Sequence, residues 1–119
     1  MTERKPHFTT ARRAGDYIFV SGQLPFDADM RVVEGDIQIQ TRVVIDHLGK
    51  ALQEVGSDLG HVVKTMVWLT DPDDFPDFNR TYAEYFPENP PARATVGTTL
   101  MVSGARIEIE AIAYHPLQG

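Results

Sequence analysis

The sequence predicts an α+β fold, a mixed sheet with two helices packed on one of its faces. Three observations carry this. Apolar residues recur at helical spacing over Asp36–Val55 and again over Phe75–Phe86, and Arg106–Tyr114 alternates with the period of a strand. The remaining apolar stretches are short, β-branched and bracketed by turn residues, as strands are.

Taken in order, Asp16–Ser21 (DYIFVS) lies between Gly15 and Gly22 and reads as a strand. The next stretch, GQLPFDADMRVVEGD, reads as loop with a short strand near Met30–Val33. Ile37, Val44, Leu48, Ala51, Leu52 and Val55 then form a helical stripe; Asp36 suits its N-cap and Gly56 its left-handed stop. Val62–Thr70 reads as a strand with Val63, Val67 and Leu69 on one face and Val62, Met66 and Trp68 on the other. A strand apolar on both faces is buried on both. Phe75, Phe78, Tyr82 and Phe86 mark the second helix, with Pro76 in its first turn and Pro87, Pro90 and Pro91 ending it. Ala94–Leu100 and Arg106–Tyr114 close the chain as two strands, joined as a hairpin through Met101–Gly104.

Two helices cover only one face of such a sheet, yet the strand Val62–Thr70 asks for cover on both. In a chain of 119 residues the cheapest cover is a second copy, so the pattern predicts a homo-oligomer. No repeat or linker divides residues 1–119, which read as one domain.

The balance of 11 basic against 17 acidic residues gives a net charge of −6, which argues against nucleic acid or an anionic membrane as partner. Cysteine is absent, which removes disulfides, thiol catalysis and Cys-ligated zinc and suits a reducing compartment. MTERKPHFTT has no apolar core of a secretory leader, and no apolar run approaches the roughly 20 residues of a membrane span. A cytoplasmic protein is expected.

His7, His47, His61 and His115 are dispersed without HxH or HExxH spacing, so no metal site is expected and each histidine is assigned a solvated or hydrogen-bonded structural role. There is no GxGxxG, P-loop or GxSxG, and no cofactor is expected. Chemistry is left to polar residues at strand ends. Arg93 follows Pro90-Pro91-Ala92 on a stiff approach and suits a two-pronged grip on a carboxylate. Glu108 and Glu110 share one strand face. A hairpin turning near Met101–Val102 would set Thr95 across from Glu108 and Arg93 across from Glu110. The same spacing also describes an ordinary cross-strand ion pair, and pattern alone leaves both open. Ser21 reads as a strand-end hydroxyl bonded to backbone. Asn79, about 40° from the Phe75 stripe at 100° per residue, reads as a half-buried tie to a loop.

Four blocks, AGDYIFVSGQLP at Ala14–Pro25, VVKTMVWLTD at Val62–Asp71, DFPDFNRTYAEYF at Asp74–Phe86, and PPARATVG followed by RIEIEAIA, resemble the RidA (YjgF) family in order and spacing along nearly the whole chain. The resemblance implies a chorismate-mutase-like fold assembled as a trimer, with ligand clefts between subunits. It implies a deaminase of the 2-iminobutanoate/2-iminopropanoate type, hydrolysing reactive 2-imino and 2-enamino acids such as 2-aminoacrylate to 2-oxo acids and ammonia. By motif position Arg93 is the family's carboxylate-binding arginine and Glu108 its water-orienting glutamate, while Ser21, Asn79 and Thr95 line the pocket. Two positions depart from the family. Phe8 stands where a pocket tyrosine is usual, and LMVSGA replaces a Leu-Pro-type turn before RIEIEAIA.

Two other readings share these residues. One is a deaminase acting on 2-aminomuconate, for which Phe8 would suit a larger, more apolar ligand. The other is a non-enzymatic trimer that binds small carboxylates and regulates a partner; Arg93 serves both, and only Glu108 separates binder from hydrolase. Endoribonuclease activity, also ascribed to the family, sits badly with the −6 charge and the lack of an aromatic-basic patch.

Overall fold

The structure is a computed structural model that describes residues 6–118. Its chain order is β1 (Ala11–Ala14), β2 (Tyr17–Gln23), α1 (Ile37–Glu54), β3 (Val62–Leu69), α2 (Phe75–Tyr85), β4 (Ala92–Gly97) and β5 (Ile107–Tyr114). The five strands form one mixed sheet in the order β1-β2-β5-β3-β4. Only β3 and β4 run parallel, joined through α2; the other neighbours are antiparallel.

Local chemistry explains most of the elements. The Asp36 side chain accepts from Ile39 N at 3.0 Å and starts α1, and Gly56, with φ of +83°, follows its end. Ile37, Val44, Ile45, Leu48, Ala51 and Leu52 bury one face of that helix. In β5 the inward residues Ile107, Ile109, Ala111 and Ala113 are at most 2% exposed, as the alternation predicts. Phe78, Tyr82 and Phe86 of the second stripe are buried in the same core, while Phe75 at its head is 40% exposed.

Four expectations are corrected. A strand the sequence did not signal, β1, pairs with β2 across a two-residue turn in which Gly15 has φ of +61°. Near Met30–Val33 there is only a single bridge, Phe26 to Val32. The Asp27 carboxylate accepts from Asp29 N and Arg31 N, and Met30 takes a positive φ, so the segment closes as a turn. In β3 the register shifts between Val62 and Lys64. That irregularity turns Val62 into the core with Thr65, Val67 and Leu69, and leaves Val63 43% exposed. Finally, β4 and β5 are not a hairpin. Residues 98–106 step over β3, which lies between them.

Both helices pack on the face made by Ile18, Val20, Val67, Ile109 and Ala111. On the opposite face Tyr17, Phe19, Val96 and Tyr114 are 40–46% exposed, and Met66, Trp68 and Ile112 are half-buried. An apolar sheet face of this kind calls for cover.

Candidate functional site

The residues singled out in the sequence fall into two groups on opposite faces of the sheet. Parallel pairing sets Arg93 beside Thr65 and Thr95 beside Val67, on the helix side. Antiparallel pairing sets Glu108 beside Trp68 and Glu110 beside Met66, on the open side. The expected facing of Thr95 with Glu108 and Arg93 with Glu110 therefore does not occur: β3 separates the strands, and the side chains point apart.

On the helix side, α2 builds a seat for Arg93. The guanidinium carbon lies 4.7 Å from the Tyr82 ring centre, 5.3 Å from Phe78 and 5.7 Å from Phe75. Such ring faces attract a cation. Arg93 also donates to Asn79 Oδ1 at 2.9 Å. Asn79 is exposed rather than half-buried, and what it ties down is the guanidinium. Among the described residues no carboxylate pairs with Arg93. A groove of about 390 Å³ opens beside it, lined by Asn79, Tyr82, Ala83, Phe86, Pro90 and Pro91. Tyr82 is itself fixed, its hydroxyl 2.7 Å from Thr65 Oγ1. Burial raises the Tyr82 phenol, partly offset by Thr65 and Arg93, so its proton stays on at neutral pH. Thr95 presents a buried hydroxyl with no hydrogen-bond partner among the described residues, beside a smaller cavity of about 190 Å³ bounded by Leu69, Pro72 and Phe75.

On the open side, Glu108 is half-buried in a pocket of about 320 Å³ with Trp68, Thr98, Thr99, Leu100 and Met101. Burial, and then the charge of Glu110, raise its carboxyl above its ordinary value. Ser21 donates to the Thr9 carbonyl at 2.6 Å, and its backbone N–H donates to the Thr10 carbonyl at 2.9 Å, which holds the N-terminal segment along β2. Phe8, just before that segment, is 65% exposed.

Sequence reasoning took Phe75, Phe78 and Tyr82 only as core and missed their second role as the seat of Arg93. It also missed a buried polar staple. Gln40 Nε2 donates to the carbonyls of Val33 and Gly104, and its Oε1 accepts from Arg106 N at 2.7 Å. Arg106 in turn makes a two-pronged pair with Asp74, which is 8% exposed. The available signal was a glutamine on the apolar stripe of α1. Three of the histidines have hydrogen-bonded structural roles: His47 with the Phe26 carbonyl, His61 with Asp58, and His115 with Ser57. Among the described residues no cluster of three or more His, Asp or Glu is arranged around a metal position. No helix there is long and apolar enough to cross a membrane.

Fold and site together define a class: a small mixed-sheet α+β protein with an aromatic-seated arginine on one face and a half-buried glutamate on the other. The chain belongs to the RidA (YjgF) family, since residues 2–115 match the family model described as Endoribonuclease L-PSP. A RutC family protein of Pyrococcus abyssi is 42% identical over 118 residues, covering 95% of this chain and 93% of that one. The crystal structure of RidA from the Antarctic bacterium Psychrobacter sp. PAMC 21119 superposes with a TM-score of 0.86 at 33% identity, covering 94% of this chain and 91% of that one. Yeast Mmf1 gives a TM-score of 0.88 at 32% identity, covering 94% and 90%.

Proposed function

We propose that the protein is a hydrolytic deaminase of 2-imino and 2-enamino carboxylic acids, releasing 2-oxo acids and ammonia. The observation that carries this is Arg93, a cation seated on three rings beside an open groove, with no carboxylate partner among the described residues. A small carboxylate can complete that site through two parallel hydrogen bonds.

Arg93 and Glu108 face opposite ways, so one chain does not bring both to one substrate. In a trimer, Arg93, Asn79 and Thr95 of one subunit meet the open face of the next, which brings Glu108, Ser21 and Phe8. The apolar open face supports this assembly. Light scattering at micromolar concentration is expected to report three chains.

In the cleft, Arg93 holds the carboxylate and so sets the adjacent C=N carbon in place. Glu108, as carboxylate, takes a proton from water while the water oxygen bonds to that carbon. The resulting carbinolamine receives the proton on nitrogen. Collapse to the carbonyl breaks the C–N bond and expels ammonia, the oxygen's proton passing back through Glu108. An imine carbon is already electrophilic, so positioning and proton transfer are the main tasks. Thr95 and Ser21 offer hydroxyls to the reacting nitrogen or oxygen.

The test is ammonia release from freshly generated 2-aminoacrylate, 2-iminobutanoate and 2-aminomuconate. Accelerated release from the first two is expected. Release from 2-aminomuconate alone would move the substrate to aromatic degradation, and tight carboxylate binding without any acceleration would leave a binding protein.

A further inference from the structure

Gly22 occupies an unusual place in β2. Val20 pairs with Ala111 and Gln23 with Ile109, so Ser21 and Gly22 together oppose the single residue Glu110. A bulge of this kind often needs glycine for its backbone. Here it does not: the glycines with positive φ are Gly15, Gly35, Gly56 and Gly104, and Gly22 is not among them. What a side chain at this position would meet is Glu108. A Cβ on Gly22 would overlap Glu108 Oε2 outright and would lie 3.0 Å from its Cδ and 3.2 Å from its Cγ. All three nearest atoms belong to that one side chain; none is backbone.

We propose that Gly22 is a positioning residue whose missing side chain forms the berth for the Glu108 carboxylate. The inference rests on the reading of Glu108 as the proton-handling group. The berth holds the carboxyl down against β2, beside Ser21 and away from the solvent that enters past Met101, which is 95% exposed. A methyl group at position 22 pushes against the free end of a flexible side chain. The carboxylate moves and the fold stays. Once lifted, the carboxyl is better hydrated and no longer in line with the water it must deprotonate.

Gly22→Ala tests this in the full chain. Turnover is expected to fall on the order of 10²-fold, the penalty for misplacing a reacting group by about 1 Å, with KM within about threefold of wild type. The acid limb of the pH–rate profile should move to lower pH as the carboxyl regains solvent, a shift that a merely structural glycine would not cause. In a Glu108→Gln background the same substitution should cost nothing further. Wild-type turnover and pH profile in Gly22→Ala would overturn the inference, as would a further loss in the Glu108→Gln background. If Gly22→Ala does not fold, the double variant Gly22→Ala/Glu108→Ala decides. Recovery of folded protein supports the berth, and continued misfolding overturns it. Wild-type turnover in Glu108→Gln alone would instead bring down the deaminase reading of Glu108, so the two failures are told apart.

Discussion

The two faces of the sheet hold their key residues in opposite ways. On the helix side Arg93 rests on rings that belong to the core: Phe78 is fully buried and Tyr82 is 5% exposed. On the open side Glu108 rests against a glycine and a stretch of loop, in a pocket whose Met101 is 95% exposed. The difference separates tasks. The proposed carboxylate-gripping cation rests on the core, and the proposed proton-handling carboxyl is walled by an exposed loop.

The sharpest break between the two comes from Glu108→Gln. It keeps the shape of the side chain and removes the base, so turnover should fall roughly 10²–10⁴-fold with binding nearly intact. Steady-state kinetics on folded protein check this, and near-normal turnover would remove Glu108 from the chemistry.

The proposed meeting of the faces across subunits can be tested by mixing chains. Arg93→Ala and Glu108→Gln are each expected to be crippled alone. Co-assembled trimers contain one cleft with both wild-type residues, so they should regain at most about one third of the wild-type rate. No recovery in verified mixed trimers would mean that the two residues do not share a cleft across subunits.

Arg93→Ala alone should weaken saturation roughly ten- to a hundred-fold, the usual loss of a hydrogen bond to a charged group. Lysine should restore little, because it lacks the fork and the planar face that lies on the rings. Equal KM in wild type and Arg93→Ala would refute the carboxylate grip.

A smaller effect is expected beneath the arginine. Tyr82→Phe keeps the ring and deletes the hydroxyl bonded to Thr65, which is fully buried. An unpartnered Thr65 should cost about 1–3 kcal/mol in a urea titration, with KM changed by less than about threefold.

The smallest effect concerns pH. The Glu108 carboxyl titrates above its ordinary value, through burial first and Glu110 second. The folded protein therefore binds this proton more tightly than the unfolded chain. Stability is lost as pH rises from the unfolded value through the raised folded one. Glu108→Gln should then be at least as stable as wild type at neutral pH, with the difference vanishing in acid. A marked loss of thermal stability at neutral pH would point to a structural role for the glutamate.

Particular residues show where the sequence was legible. The helix Ile37–Glu54 was, because its cap, stripe and stop agree. So was the inward face of β5, from its period-two alternation, and the uncovered second face of the sheet, from a central strand apolar on both sides. Strand adjacency was not. A connection of nine residues between β4 and β5 serves a hairpin or a step over one strand equally well, and nothing local distinguishes them. That single ambiguity placed Arg93 and Glu108 on one face. The shift at Val63 was hidden for a related reason: a one-residue irregularity inverts the phase of a strand without altering its composition.

The Gln40 staple bears on which parts of the chain can vary. Residues 98–106 are pinned at one end by Thr98 N on the Leu69 carbonyl, at 2.9 Å, and at the other by Gln40 on Gly104 and Arg106. Between these pins, Thr99 to Met101 line the Glu108 pocket, Val102 and Ser103 line a second pocket beside Thr70 and Arg106, and none of the five belongs to the core. They form a replaceable panel. Segments of other lengths and polarities can be spliced there and screened for new side-chain preference, while the same exchange at Gly104–Arg106 would unseat β5.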